Sequence, residues 1–270
     1  MVIQRASLGF HENRRPAACH GVIRGTIDTI WGSAGSTKLR GKDPLATSAM
    51  NGIYPNAKCF VAHGADIRTR DNDGLMPLHR AAYGDHHKIV ALLVSKGAPL
   101  EARASKLQYT PLHYTALTAT TSGESTKLLL QAGADKEAIS GYFSRRAIHL
   151  AAVAGNIQGT NELIAFGAAL DAPSINNWRA LHLAKHFGHW QVVEKLLQGG
   201  ADPFATCNPQ TIALGFGKTG DRPSKVGFAV ESKVSDADKE RCQKLLKDAE
   251  AAQPQKKPKA YMDELLHNLA

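Results

Sequence analysis

Histidine is the residue type in this sequence with the widest choice of chemistry. The chain has 270 residues and 12 histidines, and a neutral imidazole binds zinc or transfers a proton near neutral pH. His79, His113, His149 and His182 recur at spacings of 34, 36 and 33 residues. A zinc ion needs its ligand atoms about 2 Å away. Equivalent positions of successive repeat units are separated by one helix diameter, about 10 Å. The four histidines therefore cannot share a metal, and we predict a structural role for them.

Other patterns that carry chemistry are incomplete in this sequence. Gly215–Thr219 ends like a phosphate-binding loop, but the first glycine of that pattern is replaced by Ile212. Neither a Gly-x-Ser-x-Gly nucleophile turn nor a His-Glu-x-x-His zinc helix occurs. Four cysteines are far apart and form no Cys-x-x-Cys pair: Cys19, Cys59, Cys207 and Cys242. We therefore expect a protein that is not an enzyme and that has no cofactor and no metal.

The elements that position these residues follow from an internal repeat. A Gly-Ala step recurs at spacings of 33, 36, 34 and 33 residues: Gly64-Ala65, Gly97-Ala98, Gly133-Ala134, Gly167-Ala168 and Gly200-Ala201. A four-residue anchor that ends in histidine follows each step except the last: Met76–His79, Thr110–His113, Arg146–His149 and Arg179–His182. Two separate anchors with the same period indicate a repeat architecture.

Each repeat predicts a pair of short helices. A proline such as Pro77 suits the first turn of a helix, and the following Ala81-Ala82 permits close approach of a neighbouring helix. The run Ile89–Val94 has the apolar spacing of a second helix, and the glycine after it is suited to the left-handed residue that ends a helix. The polar stretch Arg70–Gly74 then predicts a projecting turn.

This combination of anchor, paired alanines, apolar second helix and Gly-Ala-Asp step resembles the ankyrin-repeat family over residues 41–203. The resemblance implies an all-α solenoid of stacked helix-turn-helix units with hairpin-like fingers and degenerate ends. It also implies that the anchor histidines hydrogen-bond to backbone groups at the helix starts. A single unit cannot bury its own apolar faces, so the units must stack and the ends must be capped.

Departures from the family pattern predict where the array is weaker. Ser125-Thr126 and Gly159-Thr160 stand where units two and five have Ile89-Val90 and Val192-Val193. We therefore expect units two and five to be the best packed and the fourth unit to be soft at Gly159.

The domain organisation follows from the extent of the repeat along the chain. We expect a basic N-terminal segment at 1–37, an array at 38–249 and a linker with a short helix at 250–270. Within the array, a degenerate sixth unit contains an insertion at 215–235 and a helix at Ala237–Ala249. The third unit is two residues longer than the others between its anchor and its glycine, and we place the extra residues in the loop Thr118–Gly123.

The resemblance directs attention to side chains on the fingers and on the exposed face of the first helices. Tyr, Trp and Arg supply most of the energy of protein interfaces. The predicted partner-binding residues are Arg80, Tyr83, Tyr109, Tyr114, Leu117, Tyr142, Phe143, Trp178 and Phe187.

The leading hypothesis is a non-catalytic scaffold or adaptor that binds another protein through the concave face. Hydrophobic residues are 43% of the chain and no apolar run is long enough to span a membrane. We expect a monomer inside the cell, in the cytoplasm or nucleus, with organelle import or secretion into a host cell as alternatives. The net charge of +9 is concentrated in residues 1–42. Two further hypotheses remain open: chemistry in the 215–235 insertion, and nucleic-acid binding through the basic N-terminus.

Overall fold

A computed structural model describes residues 43–104, 107–119, 122–141, 143–205 and 235–252. Within them the regular elements are eleven α-helices and one short 3-10 helix, Ile175–Asn177. Ten helices form five pairs, which we number as units one to five: α1 (Pro44–Met50) with α2 (Tyr54–Ala62), α3 (Pro77–Tyr83) with α4 (His87–Ser95), α5 (Pro111–Ala116) with α6 (Glu124–Gln131), α7 (Ala147–Ala154) with α8 (Ile157–Ala165), and α9 (Ala180–His186) with α10 (Trp190–Gln198). The last helix is α11 (Asp236–Ala252). The predicted all-α array of helix pairs is confirmed.

The pairs stack into two layers. The first helix of each unit packs on the first helices of its neighbours, and the second helices pack on one another in the same order. Alanine pairs such as Ala81-Ala82 and Ala151-Ala152 are fully buried at 0% exposure, which lets the first helices approach closely. Large side chains such as Leu93 and Leu163 fill the space between the layers, and each contributes about 1.5–3 kcal/mol on burial.

The four anchor histidines connect each first helix to the finger that follows it. We use finger for the segment between the second helix of one unit and the first helix of the next. Nδ1 of His79 accepts the backbone N–H of Met76 at 3.1 Å, so the neutral ring carries its proton on Nε2. Nε2 of His79 then donates to the carbonyl of Ala102 at 2.9 Å. The structural role predicted for these histidines is confirmed.

The other three histidines repeat this arrangement in units three to five. Their Nδ1 atoms accept backbone N–H groups at 3.1–3.2 Å. Their Nε2 atoms donate at 2.8–3.1 Å to one carbonyl each, those of Arg145, Ala172 and Ala205. Burial lowers the pKa of His79 and His113 to about 4, that of His149 to about 3, and also that of His182.

The fingers reverse direction at one left-handed residue each. Gly74 occupies this position in the first finger with φ +73°, and Gln108, Ser144 and Asn177 occupy it in the next three with φ of 55°, 49° and 61°. A backbone hydrogen bond closes each reversal; in the second finger it runs from the N–H of Ala104 to the carbonyl of Tyr109 at 3.0 Å. The described residues of the fingers form tight turns and contain no strand.

A second row of polar contacts joins the turns between the two helices of a unit. Nε2 of His86 lies 3.0 Å from the carbonyl of Met50, and Nε2 of His189 lies 3.0 Å from that of Val153. Nδ2 of Asn156 donates to the carbonyl of Thr115, also at 3.0 Å. Each contact joins the turn of one unit to the first helix of the unit before it.

Unit three has the longer inter-helix loop that the sequence predicts. Its helices are separated by residues 117–123, whereas only residues 84–86 separate those of unit two. Asp85 of unit two reaches into this loop and accepts hydrogen bonds from the hydroxyl of Ser122 at 2.7 Å and the N–H of Ser125 at 3.3 Å. Burial alone would raise the pKa of Asp85, but these hydrogen bonds outweigh it and lower the pKa.

The glycine at position 159, where the sequence predicts a soft point, has a packing role in the structure. Oδ1 of Asn156 caps α8 by accepting the N–H of Gly159 at 2.7 Å. A Cβ at position 159 would lie 2.7 Å from Nδ2 of the same asparagine. Glycine leaves space for a side chain that both caps α8 and bonds to unit three. That unit four is soft at Gly159, and that units two and five are the best packed, both stay predictions.

Helix α11 covers the last unit. It packs on α10 and also contacts α9, with Cys242 fully buried and Leu246 9% exposed. The guanidinium of Arg241 lies 5.2 Å from the centre of the Trp190 ring. The helix predicted at Ala237–Ala249 is confirmed. The predicted basic segment 1–37, most of the insertion at 215–235 and residues 253–270 of the predicted linker lie outside the described residues.

The buried histidines predict a loss of stability in mild acid. A histidine whose folded pKa lies below its unfolded value of about 6.5 stabilises the fold fully above that value, and this stabilisation is lost as pH falls towards the folded pKa. We expect the unfolding free energy to decrease between pH 6.5 and 4, by up to about 1.4 kcal/mol per pH unit for each such histidine. Denaturant unfolding at several pH values measures this slope.

Single substitutions show which histidine causes the pH dependence of the unfolding free energy. His149→Ala should lower stability at pH 7 and make the slope between pH 6.5 and 4 shallower, because one neutral buried imidazole is gone. His87→Gln, on an exposed side chain, is the control and should leave both quantities unchanged. A slope that His149→Ala does not alter would contradict the neutral, buried state of this ring.

The contact at position 159 predicts a substitution whose effect changes sign. Alanine normally stabilises a helix interior by up to about 1 kcal/mol relative to glycine. Here Gly159→Ala should destabilise the protein by about 1–2 kcal/mol, because the methyl group displaces the Asn156 cap and its bond to unit three. In the Asn156→Ala background the same substitution should be neutral or stabilising. Equal effects of Gly159→Ala in the two backgrounds, measured by denaturant unfolding, would refute this explanation.

Candidate partner-binding surface

Three of the predicted surface residues are part of the core. Tyr109 is 1%, Tyr114 7% and Trp178 8% exposed. Tyr109 and Trp178 each follow the left-handed residue of a finger, at the position that Leu75 occupies in the first finger, 7% exposed. The chain turns back at this point, so the side chain enters the space between two units. The prediction that placed these three side chains on the exposed surface is therefore wrong.

The buried tyrosines form an aromatic cluster beneath the candidate surface. Tyr114 lies edge-on to Tyr83, Tyr109 and His79, with ring centres 5.5–6.3 Å apart. The ring of Tyr109 stacks on His113 with centres 5.4 Å apart. Burial raises the pKa of Tyr114 to about 12, so its hydroxyl stays neutral. Aromatic contacts of this kind add about 0.5–1.5 kcal/mol each beyond burial, and here they hold the exposed Tyr83 ring in place.

Arg80 lies on the surface, but its charge is already paired. Its Nε donates to Asp71 at 2.7 Å and its Nη2 to Asp73 at 2.8 Å. Burial disfavours the charged form, yet these carboxylates outweigh it and raise the pKa of Arg80. The pairs fix the first finger against α3, which makes Arg80 a rigid part of the surface with little free charge to offer.

The remaining predicted residues are partly exposed or undescribed. Leu117 and Phe187 lie at the ends of α5 and α9 and pack partly on the core. Phe143 lies on the third finger, where its ring centre is 4.7 Å from the guanidinium of Arg145 and its carbonyl accepts the N–H of Ile175 at 3.0 Å. Tyr142 lies outside the described residues.

Tyr83 and Leu117 belong to a longer feature that runs across all five units. The same position of each unit, four residues after the anchor histidine in units two to five, brings one side chain to the end of each first helix. We call this row the ridge: Met50, Tyr83, Leu117, Val153 and His186. Met50 is 50% and Tyr83 37% exposed, His186 is exposed, and the other two are half-buried.

Residue type alone did not identify Met50, Val153 and His186 in the sequence. The signal for them was present in the period itself, because they lie 33 residues before Tyr83, 36 after Leu117 and 33 after Val153. Tyr83 stood out through its residue type, whereas the register of the repeat would have identified the whole row.

The fingers carry a second group of exposed apolar side chains. Ile139 is 42% and Ile175 45% exposed, on the third and fourth fingers. Neighbouring fingers are joined by side chains as well: Nη1 of Arg103 donates to the carbonyl of Ile139 at 2.7 Å. The surface is therefore held by contacts between units before any partner arrives.

Two further observations concern sites of other kinds. In the described parts of the chain, no group of three or more His, Cys, Asp and Glu residues is placed to hold a metal ion. None of the described helices has the length and apolar character needed to cross a lipid bilayer. Residues 215–234 of the insertion and the basic N-terminus, to which the enzyme and nucleic-acid hypotheses refer, lie outside the described residues.

Comparison with known proteins finds relatives that share the repeat. The chain is 29% identical over 157 residues to the transient receptor potential cation channel subfamily A member 1 homolog of Caenorhabditis elegans, covering 58% of this chain and 13% of that protein. It is 36% identical over 110 residues to human palmitoyltransferase ZDHHC13, covering 40% of this chain and 17% of the enzyme. It is 25% identical over 199 residues to human Rabankyrin-5, covering 70% of this chain and 17% of that protein.

These relatives are much longer proteins, and the chain spans no more than 20% of the length of any of those just named. A family model described as ankyrin repeats matches in three copies, at residues 18–104, 45–140 and 112–207. Protein binding is the general role of such repeats. With the stacked pairs, the anchor histidines and this match in agreement, the chain belongs to the ankyrin-repeat family.

Proposed function

We propose that this chain is a non-catalytic scaffold that binds another protein through the ridge and the adjoining fingers. The observation that carries the proposal is the ridge itself. Five units present a side chain at one register: Met50, Tyr83 and His186 are exposed, and Leu117 and Val153 are half-buried against the core. Exposed apolar side chains in a continuous row are typical of protein interaction sites.

The rigidity of the surface supports the same function. The histidine contacts, the turn contacts and the arginine contacts each join adjacent units through hydrogen bonds of 2.7–3.1 Å. A preformed surface loses little conformational entropy when it binds. We therefore expect recognition with little rearrangement of the array, by a monomer inside the cell.

Substitutions on the ridge test this function. Tyr83→Glu with Leu117→Glu places two charges in the middle of the ridge, while the buried aromatic cluster keeps Tyr114. We expect the double variant to lose the partners that wild-type protein captures from the native cell, measured by quantitative mass spectrometry after affinity capture. The loss should exceed about tenfold, because each charge forced into an apolar interface costs over about 1 kcal/mol.

A matched pair of substitutions on the second helices is the control. Ala91→Glu with Gln131→Glu adds the same two charges at exposed positions of α4 and α6, and should leave the captured partners unchanged. Both variants are first checked for native helical content and cooperative unfolding. Partners that persist with the ridge variant but disappear with the control would place binding on the second helices and refute the proposal.

A further inference from the structure

The charge of the array differs between the two ends of the ridge, and the difference depends on which arginines are paired with a carboxylate. Glu137 lies at the base of the third finger and uses both of its oxygens. Oε1 accepts the N–H of Ala169 at 2.8 Å, and Oε2 pairs with Nε of Arg146 at 2.8 Å. The guanidinium at the start of α7 is thereby neutralised within the array.

The equivalent carboxylate of the next finger is one methylene shorter. Asp171 accepts the N–H of Asp202 at 3.0 Å, as Glu137 does for Ala169. Arg179 stands at the start of α9 as Arg146 stands at the start of α7. Arg179, unlike Arg146, has no ion pair in the part of the chain that the structure describes.

A second cation follows at the other end of the same helix. Lys185 occupies the register of the buried Ala82, Ala116 and Ala152, but it is exposed. Its ammonium group forms no ion pair with any described residue. Both cations are near enough to His182 to contribute to its lowered pKa, after the larger effect of burial. Among the described residues, unit five therefore adds two positive charges without an ion-pair partner, at the start and near the end of α9, the helix that carries His186.

The other end of the ridge is apolar. Met50 and Tyr83 are the exposed side chains of units one and two, and the only arginine of α3, Arg80, is already paired with two carboxylates. An occupant that lies along the whole ridge and also contacts both cations is matched by apolar groups at one end and negative charge at the other. A nucleic acid is charged along its whole length, so its backbone would meet the apolar half without a countercharge.

We propose that the ridge binds a protein segment in which apolar residues contact Met50, Tyr83 and Leu117 and acidic residues contact Arg179 and Lys185. This inference rests on the proposed function and specifies the chemistry of the partner. The charge pairs contribute mainly to specificity and orientation, since exposed pairs add about 0.2–1 kcal/mol each. The apolar contacts supply most of the affinity.

Selection from a displayed library of random peptides of about 15 residues, on the immobilised full chain, tests the proposal. We expect enriched peptides to combine a cluster of Asp and Glu with apolar residues. Replacing those acids by Asn and Gln in one enriched peptide should weaken binding about fivefold or more. On Arg179→Glu/Lys185→Glu protein, the enriched peptides should carry Lys and Arg in place of the acids.

Two variants separate a local effect from a general effect of charge. Lys244→Glu/Lys247→Glu makes the same change in net charge on exposed positions of α11 and should select the same peptides as wild type. Asp171→Glu leaves the net charge unchanged but extends the carboxylate to the length of Glu137. We expect it to pair with Arg179 and to weaken the preference for acidic peptides, even if the double charge reversal proves poorly folded.

The outcomes distinguish this inference from the proposed function. Peptides that need Tyr83 and Leu117 but show no preference for acids would overturn the inference and leave the scaffold function intact. Binding that is insensitive to Tyr83→Glu/Leu117→Glu would overturn both. Salt-sensitive binding of a DNA or RNA duplex that requires Arg179 and Lys185, without enrichment of acidic peptides, would also overturn the inference and assign the cations to phosphate.

Discussion

Each helix pair in this protein is too small to bury its own apolar side chains, and its stability comes from contact with the pairs on either side. The paired alanines allow the first helices to approach closely, and leucines such as Leu93 and Leu163 fill the space between the two layers. Because every contact is with a neighbour, the array behaves as a chain of interfaces in which a weak unit is supported by the units around it. The cap formed by α11 is needed for the same reason.

Apolar contact alone would let the units slide or rotate against each other, and the polar contacts remove that freedom. The imidazole of an anchor histidine satisfies an N–H at its own helix start and a carbonyl in the next finger. The neutral ring with its proton on Nε2 satisfies both groups at once, and burial keeps it in that state. Histidine, which could bind a metal, here fixes the alignment of one unit with the next. This explains why four histidines recur without converging on one point.

The sequence predicted most of the fold because the period is visible in residue types that have local causes. Proline, the alanine pair and the closing glycine mark the helix ends, and the extra residues of unit three fall in its inter-helix loop as expected. Burial was harder to predict. Tyr109 and Trp178 follow a left-handed residue that the sequence does not mark with glycine, so their inward direction was not evident. The packing role of Gly159 was also missed, because it lies in a contact with Asn156 that the sequence alone does not show.

In a repeat protein, the residues that stack the units and the residues on the binding surface occupy different positions of each unit. Surface residues can therefore differ between units while the stacking contacts stay the same. Glu137 satisfies the backbone of the next unit and neutralises an arginine, while Asp171 performs only the first of these tasks. With one methylene fewer the stacking contact stays in place, and Arg179 has no ion pair among the described residues. Likewise, alanine can give way to Lys185 at the last unit, where the helix meets no further unit of the same kind among the described residues. Differences between units that look like decay of the family pattern are, at these positions, what gives the two ends of the surface different chemistry.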